Sequence, residues 1–210
     1  MPNATGMDLT ASYYVKLRDD ILAGGFPVAT HLLETDLAAR YGVSRTPIRE
    51  ALALLEHDRL IQRVARGYKV SEGSTQDVLE AYEARIALES TAADAAAQRR
   101  TDLDLAKLAQ LQTKAEAADN AEEWRRLQFL WHEAIWDAGH NSIIVATLQR
   151  ITAQLRVYDQ GEAPPSCDYC ASNAVHAAIL AAIRERDSAA ARTLMEEHLS
   201  ESRDERLQNL

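Results

Sequence analysis

Four histidines in the second part of the chain have the residue type and spacing of a metal site. The chain has 210 residues and six histidines, and His132, His140, His176 and His198 all follow residue 75. Gln128 precedes His132 by one helical turn, and His176 and His198 fall on consecutive predicted helices. Imidazoles that point from different helices into one bundle core commonly hold a divalent ion. The same spacing is typical of ordinary histidines with hydrogen-bond partners, and the residues alone leave both interpretations open.

A second group of side chains has the composition of a DNA-reading surface. Residues 40–69 carry seven Lys or Arg against three Asp or Glu, a local net charge of +4 in a chain whose net charge is −9. Arg45 and Arg49 fall at the start of a predicted helix, where an Arg can pair with guanine O6 and N7 in the major groove. Thr46 can contact a thymine methyl or a phosphate. The alternative is an ordinary three-helix bundle with a solvated pair of arginines.

The two cysteines of the chain, Cys167 and Cys170, form a CxxC pair in a predicted loop. Two cysteines so close together cannot cross-link a secreted fold, and a zinc ribbon requires a second pair. We interpret them as incidental loop residues, and the alternatives are a thiol pair that responds to redox state and a pair that joins His176 in a metal site.

The elements that would position the basic residues occur in the order of a winged helix-turn-helix. Three helices are predicted, over about residues 9–23, 34–41 and 45–57, of which the first ends at Gly24-Gly25 and the second at Gly42. Ser44 is a suitable N-cap for the third helix, and Pro47 lies in its first turn, where a missing N–H costs little. Two β-prone runs on either side of Arg66-Gly67, residues 60–64 and 68–70, predict a hairpin.

Six further helices are predicted after residue 74. Their approximate ranges are 76–98, 102–118, 121–138, 142–160, 171–186 and 188–207. Apolar residues recur at helical spacing along them, as in Leu103, Leu105, Leu108 and Leu111. Three of the helices are preceded by a capping residue with a carboxylate three positions later, at Ser74, Thr101 and Asn120. The predicted fold class is therefore mainly α, an N-terminal winged helix-turn-helix followed by an all-α antiparallel bundle.

Composition and charge change at the same point of the chain. Six of the eight glycines and three of the five prolines fall within residues 1–75, and the acidic excess lies entirely in residues 76–210. We therefore expect a DNA-binding domain over 1–73 and an all-helical domain over 74–210. No window approaches the roughly 18 apolar residues of a membrane span, and no signal peptide is recognisable, so we expect a cytoplasmic protein without a membrane partner.

Residues 32–72, LLETDLAARYGVSRTPIREALALLEHDRLIQRVARGYKVSE, resemble the DNA-binding domain of the GntR family of bacterial transcription regulators. The stretch GVSRTPIREAL carries the likeness most strongly. The resemblance implies that Arg45 and Arg49 contact bases, that Ser44 and Thr46 contact phosphate or base, and that Arg66 enters with the wing. Some members place an Arg where this chain has Thr35, so that contact is not expected here.

The later segments VLEAYEARIALES, FLWHEAIWDAGHNSIIVATL and SNAVHAAILAAIRERDSAAARTLMEEHL resemble the helical ligand-binding domain of the FadR-like subfamily, and six helices are compatible with its VanR-like group. Many members hold a metal through an Asp or Asn and three His. The matching positions are Gln128, His132, His176 and His198. Because imidazole dominates this set, Zn²⁺ or Ni²⁺ is expected rather than Mg²⁺, and the neutral amide of Gln128 is a poorer ligand than a carboxylate.

The same resemblance implies an effector that is a small carboxylate or a sugar acid. Arg85 occupies the position of an Arg that lines the cavity in the family, and its alternative is a helix-surface salt bridge with Glu89. Arg156 and Tyr158 are further candidates for effector binding, chosen from helix position.

Together these features predict a ligand-responsive transcription repressor that binds an inverted-repeat operator as a homodimer and is not an enzyme. The alternatives are a metal-dependent enzyme on the helical bundle and the redox-switched regulator. The enzyme lacks sequence support because no HExxH motif, glycine-rich phosphate loop or nucleophile with its base is recognisable.

Overall fold

The computed structural model describes residues 4–159 and 169–208, which form two compact units. The first unit holds the described residues up to Val78 together with those from Thr152 to Asp159, and the second holds Leu79–Ile151 and the described residues from Tyr169 onward. The last turns of one helix of the second half therefore belong to the first unit, which the sequence did not indicate. The predicted boundary between residues 73 and 74 stays a prediction.

The first unit has the element order of a winged helix-turn-helix. Its elements are α1 (Ala4–Leu22), β1 (His31–Leu32), α2 (Glu34–Tyr41), α3 (Arg45–His57), β2 (Ile61–Arg63) and β3 (Tyr68–Val70). The strands form an antiparallel sheet in the order β1-β3-β2. Helices α2 and α3 have the predicted bounds, whereas α1 begins five residues before its predicted start. Strand β1 was not predicted, because two residues are too short to show a period of two.

Apolar stripes of α1 and α3 form the core of this unit. Leu17 and Ile21 of α1 and the α3 residues predicted to face inward, Ile48, Ala51, Leu52 and Leu55, have no exposed surface. Gly42 ends α2 in the left-handed conformation, with φ 66°. Gly67, at φ 78°, forms the turn between β2 and β3, where a Cβ would come within 2.5 Å of the Leu32 carbonyl oxygen. The turn therefore requires glycine.

Helices α4 to α9 make up most of the second half of the chain. They are α4 (Thr75–Arg99), α5 (Asp102–Glu116), α6 (Ala121–Ala138), α7 (Ser142–Tyr158), α8 (Tyr169–Glu185) and α9 (Ser188–Leu207). Thr101 and Asp104 form a reciprocal capping box at α5, and the Asn120 side chain accepts from the Glu123 N–H at α6. The predicted starts of α5 and α6 coincide with the observed ones because they follow from these local capping signals.

The core of the second unit combines residues from five helices. Small side chains of α4 pack with Leu108 of α5, Trp131 of α6, Ile179 of α8 and Met195 of α9, all nearly or fully buried. One residue of the predicted apolar stripe departs from this pattern, because Leu103 is 79% exposed at the start of α5. The prediction of a mainly α fold is confirmed.

Candidate functional site

The first turns of α3 present the predicted DNA-reading side chains to solvent. Arg45, Thr46 and Arg49 are exposed, while the opposite side of α3 is the core face. The side chains of Arg45 and Arg49 are each 59% exposed. A short helix that keeps one face in the core and offers Arg and Thr at its N-terminal end has the form of a recognition helix.

Glu34, the first residue of α2, joins the two arginines. Its carboxylate accepts from Arg49 Nη2 at 3.0 Å and from Arg45 Nη2 at 3.2 Å. The Arg49 hydrogen bonds are the main reason that the pKa of the Glu34 carboxyl lies below its ordinary value. The sequence interpretation missed Glu34, because it lies on a different helix from the two arginines. It precedes Arg45 by 11 residues and Arg49 by 15.

Ser44 and Arg66 flank this surface along the chain. Ser44 is the N-cap residue of α3, as predicted, and has the extended backbone of that position, but its side chain makes no capping hydrogen bond. Its exposed hydroxyl is therefore not engaged with the helix terminus. Arg66 is exposed beside the Gly67 turn, which gives it the position of a wing residue.

A cavity of about 510 Å³ also lies in the first unit. It is lined by residues that include Arg59, Gly73, Asp77 and Tyr158. The Tyr158 ring packs directly against Gly73, and a Cβ on Gly73 would lie 2.5 Å from its Cγ. Gln154 Nε2 donates to the Asp58 carbonyl oxygen at 3.0 Å. The last turns of α7 are thus packed into the first unit by specific contacts.

In the second unit, α6, α8 and α9 bring His132, His176 and His198 together. One ring nitrogen from each lies within 4.8 Å of the other two. His132 and His176 are buried, and His198 is partly exposed. His176 Nε2 and His198 Nε2 are 3.0 Å apart, and the His176 ring stacks on Trp131 with centroids 4.0 Å apart. Rings held in this way converge their nitrogens on a common point.

His132 is oriented by a buried ion pair on α4. Its Nδ1 lies 2.6 Å from Glu89 Oε2, and Arg85 Nε donates to Glu89 Oε1 at 2.5 Å. Burial alone would raise the pKa of Glu89, but Arg85 and His132 offset this and hold the pKa well below its ordinary value. If Nδ1–H donates to this carboxylate, Nε2 keeps its lone pair for another partner, as in the carboxylate-histidine arrangement of metal sites.

The other two histidines are in an environment that favours their neutral form. Burial, with the nearby His132 and Arg85, lowers the pKa of His198 to about 3. Burial also lowers the pKa of His176 well below its ordinary value. Neutral imidazole is the form that coordinates a metal. His176 Nδ1 is buried without a hydrogen-bond partner among the described residues.

The amide of Gln128 is held by α8. Gln128 Nε2 and Trp124 Nε1 both donate to Asn173 Oδ1, at 2.9 and 3.1 Å. Gln128 Oε1 is buried and has no hydrogen-bond partner in the described parts of the chain. Three imidazoles and one unsatisfied amide oxygen are a donor set that fits a divalent transition metal.

Comparison with known protein families gives a match over most of the chain. The model of the FCD domain matches residues 80–201, and the model of the bacterial regulatory proteins of the gntR family matches residues 9–67. The chain belongs to the GntR family. It is therefore a DNA-binding transcription regulator with an FCD domain, which confirms the resemblance seen in the sequence.

Several curated proteins are similar to this GntR-family chain. The HTH-type transcriptional repressor GlaR of Escherichia coli (strain K12) is 30% identical over 198 residues, which cover 89% of this chain and 90% of that protein. The uncharacterized HTH-type transcriptional regulator YdhC of Bacillus subtilis (strain 168) is 34% identical, over 66% of this chain and 64% of that protein. A gluconate operon transcriptional repressor of Bacillus licheniformis is 29% identical over 55% of its own length.

Solved structures share the fold. E. coli McbR/YncC superposes with a TM-score of 0.77 and 23% identity, covering 92% of this chain and 94% of that one. A putative GntR transcriptional regulator from Rhodococcus sp. RHA1 gives a TM-score of 0.78 and 22% identity, covering 96% and 98%. At these identities the likeness establishes the architecture. None of the helices that the structure describes has the length and apolar character needed to cross a membrane.

The structure assembles some of the sequence-predicted site residues and separates others. His132, His176 and His198 meet, whereas His140 contacts Asp104 instead. Arg85 does pair with Glu89, but this pair is not on the surface as its alternative interpretation held, because Glu89 has no exposed surface.

The remaining candidates lie elsewhere. Arg156 and Tyr158 belong to the first unit, Arg156 exposed and Tyr158 packed on Gly73, so their role in effector binding stays a prediction. Cys167 lies outside the described residues, and Cys170 is described only as part of helix α8. The sequence interpretation did not find Asn173, and the only signal for it is its place one turn before His176 on the same helix face.

Proposed function

We propose that this GntR-family chain is a repressor that binds an inverted-repeat operator as a homodimer and leaves it when a small carboxylate or sugar acid binds with a divalent metal. The observation that carries the proposal is the pairing of two sites in one chain. One unit exposes Arg45, Thr46 and Arg49 on the proposed recognition helix, and the other clusters three histidines beside a partly buried Arg.

The DNA-binding part of the proposal rests on α3. Arg45 and Arg49 would contact base edges, Ser44 and Thr46 would contact phosphate or base, and Arg66 would enter with the wing. One recognition helix reads only a few base pairs, so two copies on two half-sites are needed for useful specificity. The acidic character of residues 76–210 would suppress loose adhesion to the DNA backbone.

The metal part rests on the histidine cluster. His132, His176 and His198 would hold Zn²⁺ or Ni²⁺ in preference to Mg²⁺, because imidazole suits those ions. A bound ion would supply the positive charge to which an anionic effector is attracted. Glu89 would keep the His132 ring in place, and Arg85, whose side chain is 17% exposed, would add positive charge near the effector.

The class of effector is supported by the chemistry of the cluster and by a relative. A metal beside an Arg favours a carboxylate ligand. The relative named a gluconate operon repressor matches this chain over part of its length, and we therefore choose gluconate as the first probe.

Three linked measurements test this function. DNA selected by the full chain from a random duplex library should contain two similar half-sites, and the particle in solution should have twice the mass of the 23.3 kDa chain. The protein, purified without chelators in a buffer that contains acetate, should contain one equivalent of metal per chain. A His132→Ala, His176→Ala variant should lack the metal and still bind the selected DNA.

The response to effector completes the test. Gluconate should release DNA from the metal-loaded wild type and leave the histidine variant bound. If a wider panel of carboxylates and sugar acids also fails to release the wild type, the effector class is wrong. Selected DNA without repeated half-sites would contradict the homodimeric operator complex.

A further inference from the structure

We infer that the metal site of this chain has no charged protein ligand, because Gln128 Oε1 supplies the fourth position, and that the ion is held firmly only together with an anion from solution. This inference rests on the proposed metal-binding function. It adds that metal affinity and carboxylate affinity are coupled in this chain by the identity of residue 128.

The orientation of the Gln128 amide is fixed by its neighbours. The indole N–H of Trp124 can only donate, so the Asn173 atom that it contacts at 3.1 Å is the side-chain oxygen. Gln128 contacts the same oxygen at 2.9 Å and must therefore present its NH₂ group there. The Gln128 oxygen consequently points away from Asn173, and it is the atom left buried without a hydrogen-bond partner among the described residues.

Two helix contacts that repeat one turn apart locate the Gln128 amide relative to the histidines. Gln128 and His132 are four residues apart on α6, and Asn173 and His176 are three apart on α8. Gln128 meets Asn173, and one turn later the His132 and His176 rings lie 5.1 Å apart. The amide is thus in the layer next to the histidine cluster, on the same faces of the two helices.

The charges around this cluster leave a divalent ion uncompensated. The three imidazoles and the amide are neutral ligands, and the buried carboxylate of Glu89 is already paired with Arg85 at 2.5 Å. His132, His176 and Gln128 are at most 9% exposed, so water screens the site poorly. An unpaired double charge is costly to bury, and an anion that coordinates the ion reduces this cost. His198 is the partly exposed ligand, and it marks the side from which an anion can arrive.

The test compares two salts on the full chain. Metal-free protein is titrated with Co²⁺, whose visible absorption reports coordination, in sodium perchlorate and in sodium acetate at equal ionic strength. Acetate should raise the apparent Co²⁺ affinity of the wild type by about tenfold or more. Gln128→Glu provides a carboxylate of the same length, so its affinity in perchlorate should reach that of the wild type in acetate. The gain from acetate should then fall below about threefold.

Two further variants make the result specific. Gln110→Glu, at an exposed position of α5, changes the net charge equally and should behave like the wild type. Asn173→Ala releases the amide and should weaken Co²⁺ binding in acetate by roughly tenfold to a hundredfold. If Gln128→Glu does not fold, the comparison of wild-type Co²⁺ affinity in the two salts still decides whether the ion needs an anion from solution.

The outcomes separate this inference from the proposed function. Co²⁺ binding by the wild type that is equal in the two salts would overturn the inference and leave the histidine site standing. An equal gain from acetate in wild type and Gln128→Glu would also overturn it. No Co²⁺ binding in either salt would overturn the proposed metal site and this inference with it.

Discussion

The carboxylate of Glu34 accepts hydrogen bonds from the Arg49 guanidinium through both of its oxygens. Arg49 Nε lies 3.1 Å from Oε1, and Nη2 lies 3.0 Å from Oε2. The arrangement is the bidentate fork that Arg also uses toward guanine. Glu34 therefore engages Nε and Nη2 of Arg49, the donors that a base would use if Arg49 contacts DNA as proposed.

We expect Arg49→Ala to weaken binding to the selected operator by about tenfold or more, because the proposed bidentate contact with a base is lost. The helical bundle should stay folded, since Arg49 is an exposed residue of the other unit. Fluorescence anisotropy with labelled operator measures the affinity. Arg125→Ala, an exposed arginine of α6, is the matched control and should bind normally. Unaltered affinity of Arg49→Ala would remove α3 from the recognition role.

We expect Glu34→Gln to reduce discrimination between the operator and a scrambled duplex. Without the carboxylate, Arg45 and Arg49 are free to contact phosphates, so binding to scrambled DNA should tighten. The slope of the logarithm of the binding constant for scrambled DNA against the logarithm of salt concentration should steepen by about one to two units. Titrations at several salt concentrations measure this slope.

The control for Glu34→Gln lies on the same helix. Asp36→Asn removes the same charge from an exposed position of α2. It should leave the discrimination ratio much closer to that of the wild type. Equal effects of the two substitutions would mean that net charge, and not the contact with the arginines, is what matters.

These contacts show where sequence reasoning succeeds and where it stops. The bounds of α2 and α3 follow from local signals such as the left-handed Gly42, and capping pairs such as Thr101 with Asp104 locate helix starts in the bundle. The prediction that the histidines converge came from a family resemblance, since their spacing along the chain fits an ordinary surface or core role equally well. The Glu34 contact depends on how α2 and α3 pack, which no local pattern encodes.

Burial is the second thing that the sequence could not supply. Arg85 and Glu89, four residues apart, have the pattern of an ordinary surface pair, yet Glu89 is fully buried. Tyr158 looked like a residue of the effector domain, because its helix begins there. Its ring instead lies on Gly73 in the other unit, which depends on the length and direction of α7.

We expect Gly73→Ala to destabilise the first unit by more than the cost of its backbone conformation. Gly73 has φ 68°, and a Cβ there would lie 2.5 Å from Tyr158 Cγ. The strained conformation alone costs about 1 to 3 kcal/mol for other residues. Thermal unfolding followed by circular dichroism measures the loss.

Gly24 provides a matched control for this substitution. It has a similar φ, 76°, but a Cβ there would meet nothing within 4 Å. Gly24→Ala should therefore cost only the backbone strain. Gly73→Ala should therefore cost more stability than Gly24→Ala, and adding Tyr158→Ala to each variant should remove most of this difference. If the difference persists, the Tyr158 contact is not its cause.

We expect Asp104→Asn to lower stability at neutral pH by about 0.5 to 1 kcal/mol, because a charge at the N-terminus of α5 is lost. Burial tends to raise the pKa of Asp104, but hydrogen bonds from Thr101 and the contact with His140 hold it below the ordinary value of 3.8. A lowered folded-state pKa gives stability that is present above pH 3.8 and lost as the pH falls below it.

The measurement for Asp104 is denaturant unfolding at a series of pH values. Below about pH 5, the difference in unfolding free energy between wild type and Asp104→Asn should shrink as the pH falls. A difference that grows over this acid range would contradict a stabilising, ionised Asp104.

We expect Glu89→Gln to affect both the stability of the second unit and its metal affinity. The substitution leaves the partly buried Arg85 without its counter-charge and replaces the carboxylate that contacts His132 Nδ1 at 2.6 Å. Breaking one partner of a buried ion pair costs about 3 to 5 kcal/mol. Loss of a carboxylate that orients a metal-binding histidine lowers metal affinity by about tenfold to a hundredfold.

The two effects of Glu89→Gln can be separated because Trp124, Trp131 and Trp136 all lie in the second unit. Their fluorescence reports its unfolding in guanidinium chloride, and Co²⁺ absorption reports metal binding below the transition. Glu83→Gln, at an exposed position of α4, is the matched control and should change neither quantity.

The double variant Arg85→Met, Glu89→Leu removes both charges and should recover part of the stability, because no buried charge is left unpaired. It should not recover metal affinity, since His132 still lacks its carboxylate. Recovery of both would mean that Glu89 acts on the metal site only through the stability of the bundle.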